Sequence, residues 1–74
     1  MFMPEDIQKL IATGLPGAQV EVVGDGHHFE AVVVTPDFAG KSMLQRHQMV
    51  YCTLGAKMGN EIHALSIKAL VPGE

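Results

Sequence analysis

FAGKSMLQRHQMVYCTLGAKM, residues Phe38–Met58, joins a short polar lead-in to the period of a long amphipathic helix. Ser42 and Gln45 have the S-x-x-Q spacing of a capping box, in which each side chain bonds the other's backbone amide, so the helix should begin at Met43. At about 100° per residue, Met43, His47, Val50, Tyr51, Leu54 and Met58 fall on one side, and Leu44 extends it. Gln45, Gln48, Cys52 and Ala56 fall opposite. Gly59 and Asn60 supply a stop, with Lys57 in the last turn, where a cation suits the helix dipole. Gly55, inside this span, costs about 1 kcal/mol against alanine. One helix from Met43 to Met58 is therefore expected, and it is the only element long enough to cover a small sheet.

The flanking stretches read as follows. Pro4 to Thr13 predicts a first helix, with Pro4 at its first position and Glu5 and Asp6 at the positive end of the dipole. Ile7, Leu10 and Ile11 form its apolar stripe, and Gly14 and Pro16 end it. Gln19 to Val23 predicts a strand with Val20 and Val22 on one face. Gly24-Asp25-Gly26 is a hairpin turn signal. His28 to Thr35 predicts a second strand, in which Phe29, Ala31 and Val33 alternate with Glu30, Val32 and Val34. Its valine-rich end suits a central strand. Ile62 to Leu70 predicts a third strand, with Leu65, Ile67 and Ala69 facing one way.

A chain of 74 residues has room for one domain. At this length only about 60% of the unfolded surface is buried, so the core is marginal by itself. The hydrophobic share of 47% excludes disorder. No apolar run is long enough to cross a membrane, and the start lacks a basic flank with a long apolar stretch. A soluble, non-exported, cytoplasmic protein is expected. The single cysteine excludes an internal disulfide and suits a reducing compartment. A net charge of −3 gives no overall attraction to nucleic acid or to an anionic membrane.

Strand, crossover helix and strand in one sheet favour a parallel pair with a right-handed crossover. An α+β fold of order αββαβ is expected, with a three-stranded mixed sheet and both helices on one face. Parallel neighbours start at the same edge. His27 and His28 open the second strand and His63 opens the third, so these histidines should converge beside the glycine-rich turn.

FAGKSMLQRHQMVY (Phe38–Tyr51), IHALSIKAL (Ile62–Leu70) and the preceding GDGHHFEAVVV resemble the BolA family, and the short GDGHHF turn resembles its IbaG-type branch. The resemblance covers nearly the whole chain. It implies a fold similar to the class II KH domain, which agrees with the order read from the residues. It also implies a monothiol glutaredoxin partner and a [2Fe-2S] cluster shared with that glutaredoxin and glutathione. In the family the third strand contributes a histidine, matched here by His63, and the turn contributes a His or Cys. His28 matches the family's HF pair, whereas His27 lies closer to the loop, so both stand as turn candidates. Many relatives continue after the third strand into a Trp-containing helix; the present sequence departs from them at Val71-Pro72-Gly73-Glu74.

Each candidate has a plainer alternative. His63 could be a structural residue at a strand start, and His27 and His28 a solvated turn. His47 lies mid-stripe and is expected to be a core histidine with a hydrogen-bond partner. Arg46 lies at the helix flank, where it can snorkel or contact a partner. Cys52 faces away from the stripe, with no nearby group to activate it and no CxxC motif. The sequence contains no P-loop or dinucleotide-binding fingerprint, and no enzyme reading is supported.

Two function classes remain. One is an iron–sulfur adaptor with His63, His28 and His27 as metal-ligand candidates and Lys41 and Arg46 as partner contacts. Histidine in place of thiolate raises a cluster's reduction potential. The other is a KH-like nucleic-acid-binding transcriptional regulator using Lys41, Arg46 and Lys57. Gly40-Lys41 supplies only half of a GxxG loop, and the acidic balance counts against it. A free metal-binding protein is a weaker third reading, because two histidines make a poor closed site. Self-association is left open, as is a weak DNA contact.

Overall fold

A computed structural model describes residues 2–74. The first helix, α1 (Pro4–Gly14), begins with proline at its first turn, and Asp6 accepts a hydrogen bond from the Met3 amide at 2.8 Å. Ile7 and Ile11, one turn apart, are fully buried, and the Leu15 amide closes the helix on the Ile11 carbonyl. Strand β1 (Gln19–Gly24) follows and runs antiparallel to β2 (His28–Val34). Along β2, Phe29, Ala31 and Val33 are buried while Glu30 is exposed and Val32 and Val34 are half-buried. This is the expected alternation of a strand covered mainly on one face.

Thr35 is buried; its hydroxyl accepts from the Asp37 amide and its own amide donates to Leu70. A short 3-10 turn, Pro36–Phe38, then drives Phe38 into the core. The capping box forms as read: Ser42 Oγ accepts from the Gln45 amide at 3.1 Å, and Gln45 Oε1 from the Ser42 amide at 2.9 Å. Helix α2 (Met43–Leu54) returns the chain, and β3 (Ala64–Leu70) pairs parallel to β2. The sheet order is β1-β2-β3, a mixed sheet in an α+β fold.

Three expectations are corrected. The helix does not run to Met58. Gly55 adopts φ +56, a left-handed conformation that side chains resist, and the chain passes into a 3-10 turn over Gly55–Lys57. The glycine that a propensity scale reads as a small cost is the C-cap. The buried face of α2 is also rotated. Val50 and Leu54 are buried and Arg46, His47, Met49 and Thr53 are half-buried, whereas Met43 and Tyr51 are exposed and Leu44 is 68% exposed. Finally, β3 starts at Ala64; Ile62 is buried in an isolated bridge with Met58 and belongs to the loop.

The core lies between the helices and one sheet face, where Ile7, Ile11, Phe29, Val33, Phe38, Val50, Leu54 and Ile62 meet. Each such side chain contributes about 1.5–3 kcal/mol relative to exposure. The helices approach closely at Gly14, where an added Cβ would lie 2.5 Å from Thr53 Cγ2 and 2.7 Å from Thr53 Cβ. Gly14→Ala should therefore destabilise the protein by about 1–3 kcal/mol through overpacking, despite the better helix propensity of alanine. The urea midpoint checks this: a midpoint at or above the parent's would show that the two helices are not in tight contact.

Candidate functional site

The turn between β1 and β2 is narrow. A side chain at Gly24 would collide with the His28 carbonyl and Phe29, and Gly26 has φ +97. Asp25 ties the turn together. Its amide donates to the His28 carbonyl at 3.2 Å, and its Oδ1 accepts from the His27 amide at 2.8 Å and the His28 amide at 2.9 Å. These hydrogen bonds, that from His28 first and that from His27 second, hold the Asp25 carboxyl below the usual aspartate range.

In the parallel pairing of β2 with β3, His28 lies opposite Ala64 and Phe29 opposite Leu65. His27 and His63 each sit one residue before those starts. The two strands begin at one edge of the sheet, and the three histidines share that edge. All three are exposed. Among the described residues, no group of three or more His, Cys, Asp or Glu side chains gathers as a metal-holding set. Exposed imidazoles are metal donors in kind, whereas a closed zinc-type site takes four ligands.

The other candidates lie elsewhere. His47 is half-buried on α2, and its Nε2 is buried with no hydrogen-bond partner among the described residues, which corrects the expectation of a paired core histidine. Cys52 is a free, exposed thiol on α2. Lys57 pairs with Glu61 at 3.2 Å and lies 5.7 Å from the centroid of the Phe2 ring. Lys41 is exposed beside Gly40, which has φ +77. No helix among the described residues is long and apolar enough to cross a membrane.

Arg46 is engaged inside the protein. Its Nε donates to the Lys41 carbonyl at 3.1 Å, and Nη1 donates to the Ala69 carbonyl at 3.0 Å and to Glu74 Oε1 at 2.9 Å. Nη2 donates to Glu74 Oε2 at 3.4 Å, and the guanidinium lies 5.9 Å from the Phe38 ring centroid. Its side chain is only 11% exposed. One residue thus joins the start of α2, the end of β3 and the tail. The Arg46 guanidinium first, and the Val71 amide second, hold the Glu74 carboxyl below the usual glutamate range.

Two residues of consequence were not singled out from sequence. Asp25 reads as a hairpin signal, although an Asp two and three residues before a pair of amides is also the spacing of a side-chain-to-backbone turn. Glu74 accepts locally from the Val71 amide, but its charged partner, Arg46, lies 28 positions away.

Comparison with known proteins agrees with this fold. The sequence profile of the BolA-like protein family matches residues 14–74. The acid stress protein IbaG of Escherichia coli K12 is 40% identical over 70 residues, spanning 93% of this chain and 83% of that protein. The DNA-binding transcriptional regulator BolA of the same organism is 29% identical over 77 residues, spanning 90% of this chain and 73% of that protein. The solved structure of a BolA homologue from Coxiella burnetii superposes with a TM-score of 0.88 at 49% identity, covering 97% of this chain and 94% of that one.

The Arg46 contacts generate two predictions. Arg46→Lys cannot reach two carbonyls and a carboxylate together, and should lower stability by about 1–3 kcal/mol, measured by urea denaturation. A loss no greater than that of Glu74→Gln would show that the carbonyl bonds contribute nothing. Because the folded Glu74 carboxyl titrates below its unfolded value, its contribution is present above the ordinary glutamate range and is lost as pH falls through and below it. Glu74→Gln should flatten the acid limb of a melting-temperature profile in that window and leave its shape above neutrality unchanged. An acid limb as steep as the parent's would contradict the assignment.

Proposed function

The chain belongs to the BolA-like family, and on that premise we propose that it is an adaptor that binds a monothiol glutaredoxin and completes the ligation of a [2Fe-2S] cluster. The observation that carries this reading is the parallel register of β2 and β3, which starts His28 opposite Ala64 and leaves His27 and His63 flanking the same sheet edge. The edge is exposed and open to the approach of a second chain. In the proposal His63 donates from the start of β3, one of His27 and His28 donates from the turn, and cysteine and glutathione thiolates on the partner side complete the set. When bound, the cluster supplies electron transfer or a transferable iron–sulfur unit, with imidazole ligation raising its potential.

A second reading, as a nucleic-acid-binding regulator, draws on the relative named as a DNA-binding transcriptional regulator. Two cations it would use are committed inside the chain, Arg46 to Glu74 and backbone carbonyls and Lys57 to Glu61. The formal charge of −3 also opposes it. Affinity for duplex DNA is expected to be weak and to fall steeply with salt.

The deciding measurement is anaerobic co-purification with a monothiol glutaredoxin, followed by visible absorption and circular dichroism. The parent should give a complex whose cluster has mixed histidine and thiolate ligation. His63→Ala should keep the fold, because the residue sits at an exposed edge, and should still dock, but the cluster should lose its histidine signature and decay faster. A His63→Ala complex with the parent's spectrum and cluster lifetime would overturn the adaptor reading.

A further inference from the structure

We infer that Asp25 is the positioning residue of the histidine edge: its carboxylate holds the backbone of His27 and His28 so that the turn presents its imidazole donor beside His63. The inference rests on the adaptor reading and concerns how this chain prepares the site. Among the described residues, the Asp25 side chain accepts from the amides of the two turn histidines, and both bonds come to the same oxygen, Oδ1. The Asp25 amide then closes the loop on the His28 carbonyl. The carboxylate accepts with a full negative charge, and charge-assisted bonds of this kind are about twice as strong as neutral ones.

The flanking glycines make the turn narrow, and they leave its backbone free to move unless it is tied. Gly24 has no room for a side chain against His28 and Phe29, and Gly26 takes a conformation that side chains rarely adopt. Phe29, directly after His28, is buried at 1% exposure and anchors the exit of the turn in the core. The two imidazoles themselves are exposed. Without the Asp25 carboxylate, the His27 and His28 amides lose their acceptor and the turn keeps only the backbone bond from residue 25 to the His28 carbonyl. A donor held in place before its ligand arrives binds more tightly because less freedom is lost on binding. Outer groups that orient metal donors commonly change affinity by 10–100-fold.

Asparagine keeps the accepting oxygen and loses the charge, whereas alanine loses both, so the two variants separate positioning from electrostatics. In the chain alone, amide hydrogen exchange by NMR reads the turn directly. Asp25→Ala should speed exchange at His27 and His28 and leave Phe29–Val34 as in the parent; Asp25→Asn should retain most of the protection. In the complex with a monothiol glutaredoxin, the cluster should be lost about tenfold faster from Asp25→Ala, docking affinity should be unchanged, and Asp25→Asn should restore most of the lifetime. The inference is overturned by an Asp25→Ala turn that stays protected, by a loosened turn with the parent's cluster lifetime, or by an Asp25→Asn complex as labile as Asp25→Ala. A parent complex that takes up no cluster, or a His63→Ala complex that keeps it unaltered, overturns the adaptor reading and this inference with it. The exchange measurement needs no partner and therefore distinguishes the two failures.

Discussion

Parallel pairing of β2 with β3 is the constraint on which the rest of this small protein depends. Two parallel strands cannot be joined by a tight turn, so the chain must travel back over the sheet before β3 begins. Helix α2 makes that return, and it brings Val50 and Leu54 onto the face already lined by Phe29 and Val33. The same pairing makes β2 and β3 start together. Three histidines that are 35 or more positions apart across the two strands reach one edge without any of them entering the core. Core formation and the gathering of these histidines are consequences of one topology.

The far end of the sheet is held by a different device. Arg46 lies at the start of α2, and Ala69 and Glu74 lie at and beyond the end of β3. The guanidinium satisfies carbonyls that the end of an edge strand and the lead-in of a helix leave open. Its planar array of donors allows three acceptors on different segments to be met at once. The residue that from sequence looks available for a partner is thus a structural tie, and the histidine edge lies at the opposite end of the strands. The Arg46 tie and the histidine edge are separated along the strand direction.

Much of the fold was legible because its determinants are local. The Ser42–Gln45 capping box names the first residue of α2, and the alternation from Phe29 to Val34 names the inner face of β2. The shared edge of His27, His28 and His63 was also legible, since it follows from element order alone. The end of α2 was not. Gly55 is compatible with a helix interior and with a cap, and the folded chain takes the positive φ of the cap. Nor was the buried face of α2. Of the stripe Met43, His47, Val50, Tyr51, Leu54 and Met58, extended by Leu44, Val50 and Leu54 are buried, but Thr53 packs at Gly14 while Met43, Leu44 and Tyr51 stay exposed.

The amino-acid sequence by itself determined the element order, the α+β class, the parallel crossover and the family, because these depend on periodicity, caps and short motifs that act within a few residues. Tertiary structure alone decided which side of α2 is buried, where that helix stops, what Arg46 holds and that His47 has a buried nitrogen without a partner among the described residues. Those outcomes depend on contacts between residues far apart in the chain, such as Arg46 with Glu74 and Gly14 with Thr53. A side chain's hydrogen-bonding capacity is written in its chemistry, but the group that uses it is chosen by the packing.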